Sequence, residues 1–146
     1  MSYEVPAYDD SNIFAKIIRG ESPCYKVYEG EHSIAFMDLN PQSDGHILVA
    51  PKVEAVSLLD IPAESLAFLM QDVQKIARAA VKAFDADGLT IFQFNGEIAG
   101  QTVFHIHFHI IPRYAHTEMG RHNLKPEDPE ILTENARKIR EAMGEM

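Results

Sequence analysis

Val103-Phe104-His105-Ile106-His107-Phe108-His109-Ile110-Ile111-Pro112-Arg113 alternates histidine with large apolar residues until a proline stops the run. Side chains of a strand point to alternate faces, so this spacing predicts a strand. His105, His107 and His109 fall on one face, and Phe104, Ile106, Phe108 and Ile110 on the other. Three imidazoles at period two admit three readings. Each could be a core histidine held by a backbone carbonyl. They could ligate zinc, but side chains two apart on a strand are about 6.8 Å apart, so one ion could take two neighbours at most. Or the central imidazole is a nucleophile: an ordinary histidine pKa of about 6.5 leaves a lone pair available at neutral pH.

The preceding stretch, Asn95-Gly96-Glu97-Ile98-Ala99-Gly100-Gln101-Thr102, is a polar loop with two glycines. Such a loop can turn N–H groups inward and bring an amide and a hydroxyl beside the histidines, which suits an anion; it can equally be an ordinary connection between strands.

The 146 residues carry 13 basic and 22 acidic side chains, for a net charge of −9. That size predicts one domain over 1–146. The charge argues against a nucleic-acid or anionic-membrane surface, but not against a small anion held by local N–H groups. Cys24 is the single cysteine, which excludes an intrachain disulfide and fits a reducing compartment. The N-terminus has neither a basic start nor an apolar run, and no stretch is long enough to span a bilayer, so the expected location is cytoplasmic.

Residues 1–10 read as an irregular arm. Ser11 or Asn12 can cap a short helix bearing Ile13, Phe14, Ile17 and Ile18 and ending at Gly20. Strands are expected at Tyr25–Glu29, Ser33–Leu39 and His46–Ala50, linked too briefly for crossover helices. Asp60–Asp85 holds the main helix. Its stripe comprises Leu66, Leu69, Met70, Val73, Ile76, Ala77, Ala80, Val81 and Phe84. Leu89–Phe94 is a fourth strand. After Arg113 the chain turns polar, with His116 and His122 reading as solvent-facing. Asp128–Met143 forms a C-terminal helix with Ile131, Leu132, Ala136, Ile139 and Ala142 inward and Glu134 paired with Lys138 outside. The expected fold is α+β: a five-stranded antiparallel sheet with a main helix, a short N-terminal helix and a C-terminal helix.

The run Gly100–Ile111 resembles the signature of the histidine triad family of nucleotide hydrolases and transferases, His-φ-His-φ-His-φ-φ with φ apolar. The resemblance extends to 13–21, to 35–42 and to Gly45-His46-Ile47-Leu48-Val49-Ala50-Pro51-Lys52. It implies that His107 attacks the α-phosphorus of a nucleotide, forming a covalent nucleotidyl-imidazole that water cleaves. It implies further that His105 flanks His107, that His109 donates to phosphate oxygens, that Thr102 and the N–H groups around Gly100 and Gln101 stabilise their charge, and that His46 is the fourth histidine of the cluster. Asp38 would take the ribose hydroxyls, Phe14, Ile17, Phe36, Leu39 and Leu48 would wall the base, and Asn95 would lie near the phosphate or sugar. The implied reaction is hydrolysis of a purine nucleoside 5′-phosphoramidate or related AMP conjugate by a homodimer. Alternatives are a diadenosine polyphosphate hydrolase, a nucleotidyltransferase or a catalytically silent nucleotide-binding module; a metal-dependent hydrolase using His105, His107 and His46 also stays in view.

One departure bears on metals. Many bacterial members carry Cys-x-x-Cys where this chain has Asn12-Ile13-Phe14-Ala15, and there a zinc joins the thiolates to histidines. Both thiolates are absent here, so no metal or other cofactor is expected, and Ile13, Phe14 and Ile17 must anchor the N-terminal helix. The triad retains His109, which some nucleotidyltransferase relatives replace by glutamine.

Overall fold

The computed structural model describes residues 2–120 and 126–144, so His122 lies outside the described residues. After the arm, α1 spans Ile13–Ile18, and the side chain of its N-cap Asn12 accepts from the Ala15 N–H at 2.9 Å. Then come β1 Lys26–Glu29, β2 Ser33–Met37, β3 Ile47–Pro51, α2 Ala63–Phe84, β4 Gly88–Phe92, β5 Phe108–Arg113 and α3 Pro129–Gly144. The sheet order is β1-β2-β3-β5-β4 with every neighbour antiparallel. Since β3 and β4 both oppose β5, they run parallel to each other, and α2 supplies the long crossover such a pair requires. The expected α+β architecture stands.

Both sheet faces are covered where the site lies. Ala35, Met37, Ile47, Val49 and Ile110 join the core beneath α2 and α3, while Ile34, Phe36, Leu48 and Ala50 meet Phe14 and Ile17 of α1. Hence β2 and β3 are buried at every position, and apart from Ser33, whose hydroxyl donates to Asp72 at 2.6 Å, they are apolar throughout. The α1 side is the thinner cover, and it carries the polar side chains of the site.

Several expectations change. The strand begins at Phe108, not Val103. Opposite the missing half stands Pro51, which has no N–H to give a ladder, and the Ile106 N–H turns instead to the Ala55 carbonyl at 2.9 Å. Released from the pleat, Phe104 is exposed and not core. Ile13 is 46% exposed, because the Asn12 cap points Phe14, Ala15 and Ile17 at the sheet. Met70, Val81 and Ile131 are exposed flanks of their helical stripes, and Ile91 is exposed on the edge strand β4. Glu134 pairs with Arg137, which also holds Glu141, in place of Lys138. His116 is exposed as expected, within a turn closed by Tyr114 and Thr117.

Gly45 controls how the β2–β3 turn delivers His46. Its φ is +90°, and a Cβ there would lie 2.6 Å from the Phe84 ring at the end of α2, so no other residue fits without moving that ring.

Candidate active site

Register brings the site together. Leu48 pairs with His109 across β3–β5, and Phe92 pairs with His109 across β4–β5. Side chains alternate, so His46, two residues before Leu48, shares this face and can reach diagonally to His109. Asp38 follows β2, its N–H bonded to the His46 carbonyl at 3.0 Å. Phe92 stacks on the His109 ring at 4.4 Å and 25°, and Phe14 of α1 presses against His107 at 4.7 Å and 79°. The rings of His107 and His109 are 5.1 Å apart.

Hydrogen bonds fix the tautomers, because a carbonyl oxygen can only accept and a backbone N–H can only donate. Nδ1–H of His107 donates to the His105 carbonyl at 2.7 Å, which leaves the lone pair on Nε2. The Gln42 N–H donates to His46 Nδ1 at 3.1 Å, so His46 carries its proton on Nε2. That proton bridges to His109 Nδ1 at 2.9 Å, which puts the His109 proton on Nε2. Two neighbouring imidazoles are thus complementary: one presents a lone pair, the other an N–H. His105 is different. Its Nε2–H donates to the Pro51 carbonyl at 2.8 Å and its Nδ1 accepts from Tyr8 Oη at 2.6 Å, so both ring nitrogens are occupied.

Burial sets the charge. It pushes His107 down to about 4, against the upward pull of the His105 carbonyl, and a charge on His105 would lower it further. Burial also lowers His105, with the Pro51 carbonyl opposing. The central imidazole is therefore a neutral base at physiological pH. This depression predicts acid lability. The unfolded chain takes up the proton near its ordinary value of about 6.5 while the folded His107 holds out to about 4. Stability is complete above that upper value and falls between the two, by roughly 3 kcal/mol from His107 alone. Urea midpoints measured from pH 7 to pH 4 should fall, and less so in a His107→Ala variant.

The loop before the histidines differs from the expected cradle. Its Ala99 and Gln101 N–H groups return to the Gly96 and Glu97 segment, with Gly100 bonded to the Glu97 carbonyl at 3.0 Å and Gln101 to that of Gly96 at 3.0 Å. The Gln101 amide is likewise structural: its Oε1 accepts from Gly96 N–H at 2.8 Å and its Nε2 donates to the Val56 carbonyl at 2.7 Å. Asn95 accepts from Leu58 N–H at 2.8 Å, tying this loop to the one before α2. These groups build the loop's shape and do not point free donors at an anion. Exposed Gly100, with φ +111°, lets the chain turn, and exposed Thr102 ends the loop with its hydroxyl at the surface. Leu39 is 51% exposed and stands outside the apolar wall of Phe14, Ile17, Phe36 and Leu48, because β2 ends at Met37 and the pleat no longer directs it.

Asp38, His46 and His109 have ligand atoms within 4.8 Å of one another, all buried. They do not fit a cation. Metal on His46 Nε2 needs the lone pair there, yet the Gln42 N–H has claimed the lone pair of Nδ1 and set the proton on Nε2. At the position of the bacterial thiolates, the Asn12 oxygen is spent on capping α1 and Ala15 offers no donor.

Three participants were not visible in the sequence. Phe92 owes its role to strand register, and the Gln42 N–H is a backbone group that no residue pattern marks. Tyr8 sits in an arm without periodicity, 97 residues from its partner His105.

Residues 19–116 match the HIT domain family model, and the chain belongs to this family. It is 42% identical over 119 residues to adenylylsulfatase HINT3 of Arabidopsis thaliana, a match taking in 77% of this chain and 60% of that protein. It is 43% identical over 105 residues to adenosine 5′-monophosphoramidase HNT1 of Saccharomyces cerevisiae, covering 72% of this chain and 64% of that one. The chain thus spans under two thirds of either relative's length. Among solved structures it resembles a Hit-like protein from Bartonella henselae, with TM-score 0.88, 52% identity, and coverage of 94% of this chain and 99% of that one.

Proposed function

We propose that this protein hydrolyses a purine nucleoside 5′-phosphoramidate or a related AMP conjugate through a covalent nucleotidyl-histidine on His107. The observation that carries the reading is the tautomer of His107: neutral, anchored through Nδ1, with its lone pair on Nε2. Attack of Nε2 on the α-phosphorus forms an N–P bond and breaks the bond to the leaving amine, which takes the Nε2 proton from the imidazolium form of His109, leaving that ring neutral. Water then attacks phosphorus, the imidazole leaves with its lone pair, and the water's proton returns to His109. Charge on the phosphate oxygens is met by His109 and Thr102. The names of the two relatives above, one a phosphoramidase and one an adenylylsulfatase, support AMP bonded through nitrogen or oxygen as the substrate class.

Phe14, Ile17, Phe36 and Leu48 supply the apolar wall for the base. Asp38 takes the ribose hydroxyls; its Oδ1 accepts from Asn40 N–H at 2.8 Å, and a carboxylate's several lone pairs allow further acceptance. Because His107 must be neutral to attack, the acid limb of kcat/KM should fall near its depressed pKa of about 4 and not near that of an ordinary histidine. An acid limb centred at about 6.5 would remove the assignment. Comparing kcat/KM for an AMP-amine conjugate and a diadenosine polyphosphate tests the substrate: preference for the dinucleotide would replace the leaving group while retaining His107.

The proposed state is a cytoplasmic homodimer. At one sheet edge, the β1 Lys26 carbonyl is occupied by Arg140 at 2.7 Å, whereas β4 presents exposed Ile91 on the opposite edge. Pairing β4 with its copy would extend the sheet and cover that edge. Light scattering should give twice the monomer mass of 16.4 kDa. Among the described residues no helix is long and apolar enough to cross a membrane.

A further inference from the structure

The position of His107 depends on a peptide group that the sheet does not hold. Its Nδ1 proton lands on the carbonyl of His105, and β5 begins only at Phe108. Three tethers hold that carbonyl. The Ile106 N–H, on the other side of the same peptide plane, bonds to the Ala55 carbonyl at 2.9 Å. The His105 ring is held at Nε2 by Pro51 and at Nδ1 by the Tyr8 hydroxyl. The first two tethers come from the loop after β3 and from its last residue. The third comes from the irregular arm, outside residues 19–116 matched by the family model.

We propose that Tyr8 is a positioning residue for His107, acting through His105: its hydroxyl occupies His105 Nδ1, keeps that ring neutral and fixed, and so aims the His105 carbonyl at His107 Nδ1. The inference rests on His107 being the attacking group.

The arm is built to place this hydroxyl. The Asn12 N–H and side-chain amide both reach the Asp9 carbonyl, at 3.3 and 2.8 Å, and Arg19 Nη1 reaches the Asp10 carbonyl at 2.8 Å. At the far end Tyr3 packs over Gly96, where an added Cβ would meet its ring at 3.1 Å. The strap therefore runs from the start of α1 past the first triad histidine to the glycine loop. The Tyr8 ring meets the His105 ring edge-on at 5.5 Å and 68°, which leaves the phenol pointing at Nδ1. Burial raises the Tyr8 pKa above its usual value, so the hydroxyl keeps its proton and remains a donor. Loss of that donor frees the His105 lone pair, and a proton gained there would lower the basicity of His107 and loosen its anchor.

Tyr8→Phe removes one oxygen and retains the ring. The expected result is a fall in kcat of about tenfold with KM within about twofold, since the defect lies in aiming the nucleophile and not in holding the nucleotide. Side-chain ¹⁵N spectra should show His105 protonated on Nε2 and His107 on Nδ1 in the wild type. In Tyr8→Phe, His107 should give a mixture of tautomers. Unchanged kcat would overturn the proposal, as would a loss of kcat with the His107 tautomer intact, which would mark Tyr8 as a structural prop. The wild-type spectrum is decisive independently of the variant's folding: a proton on His105 Nδ1 would end the idea. Because the spectra need no substrate, they also separate failure of the tether from failure of His107 as nucleophile, which His107→Ala activity reports.

Discussion

Replacing His107 by alanine is expected to remove turnover, by roughly 10⁴-fold or more, while the protein remains folded. The size follows from the division of labour among the imidazoles. His105 has both nitrogens committed to Tyr8 and Pro51, and His109 carries its proton on Nε2 through the His46 bridge. Neither presents the lone pair that His107 does, so neither can substitute for it. Folding should survive because the His107 ring lies on the α1 side, against Phe14, outside the main core beneath α2 and α3. Release of AMP from a nucleoside phosphoramidate measures the loss, and circular dichroism checks the fold. A folded His107→Ala protein with near-normal turnover would contradict the proposed mechanism.

Ile110→Ala, three residues further on, is expected to do the reverse: destabilise by about 2 to 5 kcal/mol and spare the chemical groups. Ile110 is 0% exposed in β5, opposite Ile47 on one side and Ile91 on the other, within the core cluster. Truncation would leave a cavity that three paired strands cannot easily close. Phe108→Ala should cost less than its ring size suggests, because Phe108 is only partly buried at the border of that cluster. Urea denaturation of the two variants orders them, and a larger loss for Phe108→Ala would show that Phe108 belongs to the interior of that cluster and not to its border.

The sequence by itself determined the sheet, the helices and the identity of the cluster. Period-two alternation around His109 and apolar runs at 34–37 and 47–51 mark strands, and the spacing of Leu69, Val73, Ile76 and Ala80 marks a helix with one apolar face. Alternation marked His105, His107 and His109 as belonging together, and the family resemblance added His46. Alternation alone, however, placed His105 as an equal member of one strand face and Phe104 in the core. Only the tertiary structure ended the ladder at Phe108, because Pro51 opposite lacks the N–H to continue it. Roles turned on hydrogen bonds to backbone atoms: the Gln42 N–H on His46, the His105 carbonyl on His107, the Pro51 carbonyl on His105. Every residue type carries such groups, so no pattern of side chains announces them. The loop at 95–101 shows the same limit, since composition offered N–H donors and the folded chain spends those of Gly96, Ala99, Gly100 and Gln101 on itself. Tyr8 is the extreme case: an arm with no periodicity carries no local signal, and its partner is fixed by how α1 docks on the sheet.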